Sequence, residues 1–140
     1  MYLLDTNVVS ELRKAHTGKA DPQVLHWAQG VVPAQLYLSI ISVLELEMGV
    51  LRIERRDTLQ GRHLRTWLEQ QVLPAFQDRI LMVDIAVARR CAHLHIPDPR
   101  AERDALIAAT ALTHDLTLVT RNIADFRTSG LRLLNPWEAT

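Results

Sequence analysis

Short apolar runs alternate with longer stretches of helical periodicity along this chain. Runs with the composition of strands occupy residues 2–4, 35–41, 79–83, 116–120 and 131–135. Between them, apolar positions three or four residues apart predict helices over residues 6–13, 22–29, 42–56, 57–76, 84–95 and 101–115, and residues 122–126 fit a turn. This alternation predicts an α/β fold of three layers, α/β/α, with a central parallel sheet. We expect one domain, 1–140.

Four carboxylates lie where a predicted strand ends or the next helix begins. They are Asp5, Glu45, Asp104 and Asp125. In an open α/β sheet such positions gather at one edge, where ligands bind. Carboxylates in one pocket raise each other's pKa, and a hard divalent cation relieves this repulsion. Because Mg²⁺ prefers oxygen ligands and leaves positions for phosphate oxygens, the pattern favours metal-assisted hydrolysis.

Each carboxylate also has a purely structural interpretation. Asp5 could cap the helix that follows it, and Ser42 with Glu45 fits a capping box, S-x-x-E. Asp104 could interact with a helix dipole, and Asp125 fits a turn. Composition and spacing alone leave both interpretations open.

Composition and charge narrow the function classes. The chain has 48% hydrophobic residues, 16 Lys plus Arg against 16 Asp plus Glu, and one cysteine. Zero net charge disfavours binding of nucleic acid through bulk charge, but it is compatible with a local basic patch. The single cysteine fits a reducing compartment. Since no apolar run resembles an export signal or a membrane span, we expect a cytoplasmic protein with no membrane contact.

Four segments resemble, in order and spacing, the PIN-domain ribonucleases of the VapC type, which are toxins of bacterial toxin–antitoxin pairs. The segments are LLDTNVVSEL, SIISVLELEMGV, RDALIAATALTHDLTLVTRNIADF and LRLLNPWE. The resemblance spans the chain. It implies a PIN-like fold and an endoribonuclease that requires Mg²⁺, with Mn²⁺ as a substitute. Cleavage in that family leaves a 5′-phosphate and a 3′-hydroxyl.

Carried over to this chain, the resemblance implies roles for particular residues. The catalytic acids would be Asp5, Glu45, Asp104 and Asp125, with Asp5 and Asp104 binding the metal directly. Smaller polar side chains would orient these ligands: Thr6, Asn7, Thr120 and Asn122. The resemblance further implies a homodimer or a larger toxin–antitoxin assembly, inhibition by a small cognate antitoxin, and contact with operator DNA only through that antitoxin.

Basic side chains should surround an acidic site that receives RNA. Those closest in sequence to the acids are Arg100, Arg103, Arg121 and Arg127, with an ordinary solvated surface as the alternative.

For the antitoxin we expect an apolar groove in the two predicted helices 42–56 and 57–76, with core packing as the alternative. Its candidate residues are Leu51, Leu59, Leu64, Trp67 and Leu68. Trp137 is interpreted as a packing residue, and Gly49 as a point of close helix packing. Zinc at Cys91, His93 and His95 is disfavoured because the two histidines, two residues apart, face different sides of a helix.

Three alternatives to a nuclease are less consistent with the sequence. Phosphatases of the haloacid-dehalogenase type carry a second aspartate two positions after the first, where this chain has Asn7. They also need a late lysine, as receiver modules of signalling do, and no lysine follows Lys19. The third alternative is a PIN-like module that binds partners without catalysis; the presence of all four acids disfavours it.

Overall fold

A five-stranded sheet forms the centre of the protein, and the computed structural model describes residues 1–138. Its strands are β1 (Tyr2–Leu4), β2 (Leu36–Ser39), β3 (Ile80–Leu81), β4 (Thr117–Val119) and β5 (Leu133–Leu134). They lie in the order β3-β2-β1-β4-β5, and every neighbouring pair is parallel. The predicted α/β/α fold with a parallel central sheet is therefore confirmed.

Helices cover both faces of the sheet. They are α1 (Thr6–Leu12), α2 (Pro22–Gln29), α3 (Ile40–Arg56), α4 (Thr58–Trp67), α5 (Leu73–Ala75), α6 (Ile85–Leu94), α7 (Glu102–Thr113) and α8 (Ile123–Phe126). A π-helical segment, Leu68–Val72, joins α4 to α5 without a break, so the predicted helix 57–76 is helical over residues 58–75 and contains one π-helical turn. The predicted turn 122–126 contains the short helix α8. Among residues 1–138, no helix is both long and apolar enough to cross a bilayer.

Alternating side chains of the central strand build the two layers of the core. Leu3 packs with Ile107 and Phe126 on the face covered by α7 and α8, while Leu4 packs with Val8 and Leu46 on the face covered by α1 and α3. Successive residues of a strand point to opposite faces, so a run of leucines buries itself on both. Both Leu3 and Leu4 are fully buried.

The boundary between β2 and α3 differs from the prediction. The strand ends at Ser39, whose hydroxyl accepts the backbone N–H of Ile41 at 3.0 Å and so caps α3. The predicted strand 35–41 is therefore too long, and the capping box with Ser42 at the N-cap is wrong. Two serines with equal capping propensity lie three residues apart, and pairing of β2 with β3 as far as Ser39 decides between them. Glu45 consequently lies in the second turn of α3.

Close packing of α3 on α4 depends on Gly61 rather than on Gly49. A Cβ atom at Gly61 would lie 2.5 Å from Glu54 Cα and 2.8 Å from Glu54 N. A Cβ atom at Gly49 would meet nothing within 4 Å, so the prediction of close packing at Gly49 is wrong. Beside Gly61, Arg65 donates to Glu47 and to both oxygens of Glu54, which ties the two helices together.

These two glycines provide a matched pair of substitutions. We expect Gly61→Ala to lower the free energy of unfolding by about 1–3 kcal/mol, because the added methyl group meets backbone atoms of α3. Gly49→Ala should leave stability unchanged or raise it by about 0.5–1 kcal/mol through helix propensity. Urea unfolding followed by circular dichroism measures both, and equal losses in the two variants would contradict this account.

Candidate active site

The sheet order places the ends of β1 and β4 side by side. The chain winds from β1 to β2 and β3 in one direction, and β4 and β5 lie on the other side of β1. Asp5 follows β1, and Thr120 follows β4. The Thr120 hydroxyl donates to Asp5 Oδ2 at 2.8 Å, across 115 positions of sequence. This is the switch point at which open α/β sheets bind ligands.

Asp5 is both the N-cap of α1 and a buried acid of the site. Its Oδ1 accepts the backbone N–H of Thr6 at 2.8 Å, and the Asn7 amide lies 3.4 Å from Oδ2. The residue is 6% exposed, and it lines a cleft of about 430 Å³. The capping role of Asp5 is therefore compatible with a place in the cleft, because one carboxylate caps the helix while it faces the cleft.

Glu45 approaches the same place from α3. The Thr6 hydroxyl donates to Glu45 Oε1 at 2.6 Å, and the buried Ser42 hydroxyl lies 3.1 Å from that of Thr6. On its other side Glu45 Oε2 forms an ion pair with Arg103 Nε at 3.2 Å. These contacts connect Glu45 to α1 and to α7.

Asp104 and Asp125 complete the acidic edge. Asp104 lies in the first turn of α7 and lines the cleft beside Asp5 and Glu45. Asp104 also lines an adjoining cavity of about 270 Å³, together with Asp125 of α8 and Arg100. The fold thus brings the four predicted acids to one edge of the sheet, with Asp104 between the two cavities and Asp125 the most exposed.

The pKa shifts of two acids indicate that the cleft carries excess negative charge. Burial raises the pKa of Asp5 to about 6, despite hydrogen bonds from Thr120 and Thr6 that favour the ionised form; Glu45 and Asp104 raise it further. Burial also raises the pKa of Asp104, with contributions from Glu45 and Asp125 and a partial offset by Arg103. A cation placed among these groups would relieve this cost.

The polar residues predicted to orient the ligands lie around Asp5. Thr6, Thr120 and Asn7 contact it or Glu45 directly. Asn122 donates its backbone N–H to the Thr120 hydroxyl at 3.0 Å, and it lines the cleft. All four therefore surround the site.

The arginines predicted to form a rim have different surroundings. Arg103 pairs with Glu45, and Arg100 donates to the Arg127 carbonyl at 3.2 Å. Arg121 lines the cleft, with its guanidinium carbon 5.2 Å from the centroid of the Trp137 ring.

Several cleft residues were missed by the sequence analysis. They are Ser10, Glu11 and Lys14 of the α1 region, together with Trp137. Ser42, interpreted from the sequence as a helix cap, contacts the cleft residue Thr6. Asn7, Ser10, Glu11 and Lys14 recur at helical spacing directly after Asp5, and this polar stripe could have identified the wall formed by α1. Nothing in the local sequence distinguished Trp137 from a core residue.

A second group of potential ligands lies between α6 and α7. Cys91 Sγ, His95 Nε2 and Glu102 lie within 4.8 Å of one another, whereas His93 instead contacts the Arg89 carbonyl. His95 Nδ1 accepts the backbone N–H of Arg100 at 3.0 Å, which leaves the imidazole proton on Nε2, 3.3 Å from Glu102. A metal would need the lone pair of Nε2 and an acceptor beside Nδ1. We therefore interpret the group as a hydrogen-bonded connection between two helices.

Comparison with known proteins reveals clear relatives. The sequence profile of the PIN domain matches residues 2–128. The chain is 38% identical to "VapC ribonuclease Y4jK" of Sinorhizobium fredii, over 99% of this chain and 99% of the relative. It is 37% identical to "Toxin FitB" of Neisseria gonorrhoeae, over 98% and 99%.

Solved structures share this fold over their full length. The structure of FitAcB from Neisseria gonorrhoeae has a TM-score of 0.88 at 35% identity, covering 99% of this chain and 100% of that one. The structure of FitAB bound to an IR36 DNA fragment has a TM-score of 0.87 at 32% identity, covering 100% and 98%. A toxin–antitoxin complex from Klebsiella pneumoniae has a TM-score of 0.68 at 26% identity, covering 99% and 100%.

The raised pKa of Asp5 predicts that Asp5→Asn stabilises the metal-free protein. The folded pKa of about 6 exceeds the unfolded value of 3.8, so the native state binds the extra proton, and stability falls as the pH rises through this window. The asparagine retains the cap without the charge. At pH near 7.5 we expect a gain of about 1–3 kcal/mol, which disappears near pH 4.

Urea unfolding in EDTA at the two pH values measures this gain. Asp115→Asn, at the opposite edge of the sheet beside Arg132, serves as a control for the removal of one carboxylate. A loss of stability in Asp5→Asn at both pH values would contradict the role assigned to burial.

Proposed function

The chain belongs to the PIN-domain family, and we propose that it is a metal-dependent endoribonuclease that acts as the toxin of a toxin–antitoxin pair. The observation that carries this proposal is the buried carboxylate of Asp5, with Glu45 and Asp104 lining the same cleft. The ribonuclease and toxin names of relatives that align over nearly the whole chain support it. We further propose that residues 1–140 form one nuclease domain acting in the cytoplasm, where its RNA substrate is found.

The donor set fits a hard divalent cation, Mg²⁺ or Mn²⁺. All candidate ligands are carboxylate oxygens, and Arg103 pairs with Glu45 but only partly offsets the negative charge around Asp104. Asp5 and Asp104 would bind the ion directly, and Glu45 and Asp125 would bind it directly or through water. Within residues 1–138, no three of these acids have ligand oxygens within 4.8 Å of one another. Mg²⁺ usually takes one or two carboxylates and keeps several waters, so it would need no more than two of these acids as direct ligands.

The proposed reaction is hydrolysis of an RNA phosphodiester. The bound cation would supply a water nucleophile at neutral pH and neutralise charge on the phosphate. The water oxygen forms a bond to phosphorus, the bond from phosphorus to O3′ breaks, and O3′ takes up a proton. The products carry a 5′-phosphate and a 3′-hydroxyl. Thr120, Thr6 and Asn7 contact the Asp5 carboxylate and would fix its orientation in this reaction.

A small antitoxin is the proposed protein partner. Three residues of the predicted apolar groove belong to the core: Leu68 is buried, and Leu64 and Trp67 pack against the core cluster. The other two, Leu51 and Leu59, are 53% and 65% exposed. We assign the antitoxin contact to the exposed part of α3 and α4. Homodimerisation, a larger complex with antitoxin, and operator binding through the antitoxin belong to the same proposal; the FitAB structure bound to DNA supports the last of these.

Cleavage of RNA by the purified, antitoxin-free chain tests the proposal. Wild type should cut RNA with Mg²⁺ or Mn²⁺ and not with EDTA. Asp5→Asn and Asp104→Asn should lower the rate by more than about 100-fold, because each removes a ligand of the cation. Asp125→Asn should retain part of the activity, since Asp125 is exposed and lies beyond Asp104.

Two results would decide against this assignment. Cleavage by Asp5→Asn at the wild-type rate would show that the nuclease activity lies elsewhere or belongs to a contaminant. Binding of neither Mn²⁺ nor RNA by wild type would favour the module that binds partners without catalysis. Asp115→Asn controls for loss of a carboxylate far from the cleft.

The affinity for Mn²⁺ should depend on the Asp5 proton. Because the pKa of Asp5 is about 6, affinity should fall about tenfold per pH unit below this value and level off above it. Thr120→Val removes the hydroxyl that stabilises the ionised carboxylate and should move the fall to higher pH, whereas Thr120→Ser should not. Calorimetric titration with Mn²⁺ over this range measures the effect, and identical profiles for Val and Ser would contradict it.

A further inference from the structure

Arg121 and Trp137 form one wall of the acidic cleft. Both line the cavity of about 430 Å³ that also contains Asp5, Glu45 and Asp104. The Trp137 ring is only half-buried, and it packs against the core cluster that contains Leu4. The interpretation of Trp137 as a packing residue therefore accounts for only part of its surroundings.

Three hydrogen bonds hold the two segments that form this wall. The backbone N–H of Arg121 lies 3.4 Å from Asn7 Oδ1, and the Arg121 carbonyl accepts from Asn135 Nδ2 at 3.4 Å. Asn135 Oδ1 in turn accepts the backbone N–H of Trp137 at 2.9 Å. Asn135 thus ties the segment that carries Arg121 to the segment that carries Trp137, and the guanidinium lies over the indole ring.

Arg121 lines the cleft that contains Asp5, which the other three candidate rim arginines do not, and it differs from Arg103 in its charge balance. Within residues 1–138, no carboxylate lies within 4.0 Å of its guanidinium, whereas Arg103 is paired with Glu45. A guanidinium stacked on an aromatic ring keeps the N–H groups at its edge free to donate, and this fork matches a phosphate. The charge is therefore both oriented and available.

We propose that Arg121, oriented by stacking on Trp137, binds an RNA phosphate next to the one that is cleaved. Arg121 contacts the substrate, and Trp137 is a positioning residue that acts through Arg121. The acidic centre and this phosphate site share one cleft, so an RNA backbone can reach both. This inference rests on the proposed ribonuclease function and adds to it the side of the cleft along which the strand runs.

Binding of a labelled single-stranded RNA oligonucleotide tests the proposal, in an Asp104→Asn background that prevents cleavage and at constant Mg²⁺. Arg121→Met should weaken binding about tenfold and reduce the slope of log affinity against log salt by about 0.7, the value for one phosphate contact. Arg132→Met removes an arginine paired with Asp115 at the opposite edge of the sheet, and it should change neither quantity.

Substitutions of Trp137 separate positioning from plain stability. Trp137→Phe keeps a ring under the guanidinium and should bind RNA as wild type does, whereas Trp137→Leu should lose part of the affinity. The double variant Arg121→Met with Trp137→Leu should bind no more weakly than Arg121→Met alone, because tryptophan acts through arginine. Thermal melting of each variant confirms that the comparison is between folded proteins.

The outcomes distinguish this inference from the proposed function. If wild type cleaves RNA with metal but Arg121→Met keeps the affinity and the salt slope, only the inference is overturned. Additive losses in the double variant would mean that the indole contacts RNA itself, which overturns the positioning role. If wild type neither binds nor cleaves RNA, the proposed function fails and the inference fails with it.

Discussion

Burial of one carboxylate is the constraint on which the rest of the site depends. Asp5 directly follows the central strand at the switch point of the sheet, and it is only 6% exposed. Burying a charge is costly unless polar groups or a counter-ion compensate for it. Thr120, Thr6 and Asn7 supply hydrogen bonds, yet burial still prevails, since the pKa of Asp5 stands at about 6. The fold therefore contains an unfavourable negative charge that a cation can stabilise.

The neighbouring cations are arranged so that they leave this charge uncompensated. Arg103 is bound to Glu45 and Met48, and Arg121 is stacked on Trp137. An arginine paired with Asp5 would compensate this charge directly, but it would occupy the place of the proposed cation. The cleft thus has a negative centre and a positive wall, a separation that the zero net charge of the chain conceals.

The sequence pattern predicted the features that depend on interactions between residues close in sequence. The strand before Asp5 and the first-turn position of Asp104 follow from apolar periodicity and the placement of acids, and both were predicted. The start of α3 was misplaced because strand pairing, a tertiary effect, decided between two equivalent serines. Which side chains face another helix or a cleft depends on which elements become neighbours in the fold, and the local sequence does not contain this information. For this reason the role of Gly49 was misinterpreted, and the contact of Trp137 with the cleft was missed.

The planar guanidinium of arginine has a geometric role at three positions of this chain. Of 16 basic residues only two are lysines, and Arg65, Arg79 and Arg132 each donate to two different acceptor groups. Arg65 donates to Glu47 and Glu54 at once, and Arg132 donates to the carboxylate and the carbonyl of Asp115. A lysine ammonium could neutralise the same acids, but it could not bridge two acceptors in fixed directions. Arginine therefore contributes defined geometry as well as charge, both where it ties helices together and where it lies beside the acidic cleft.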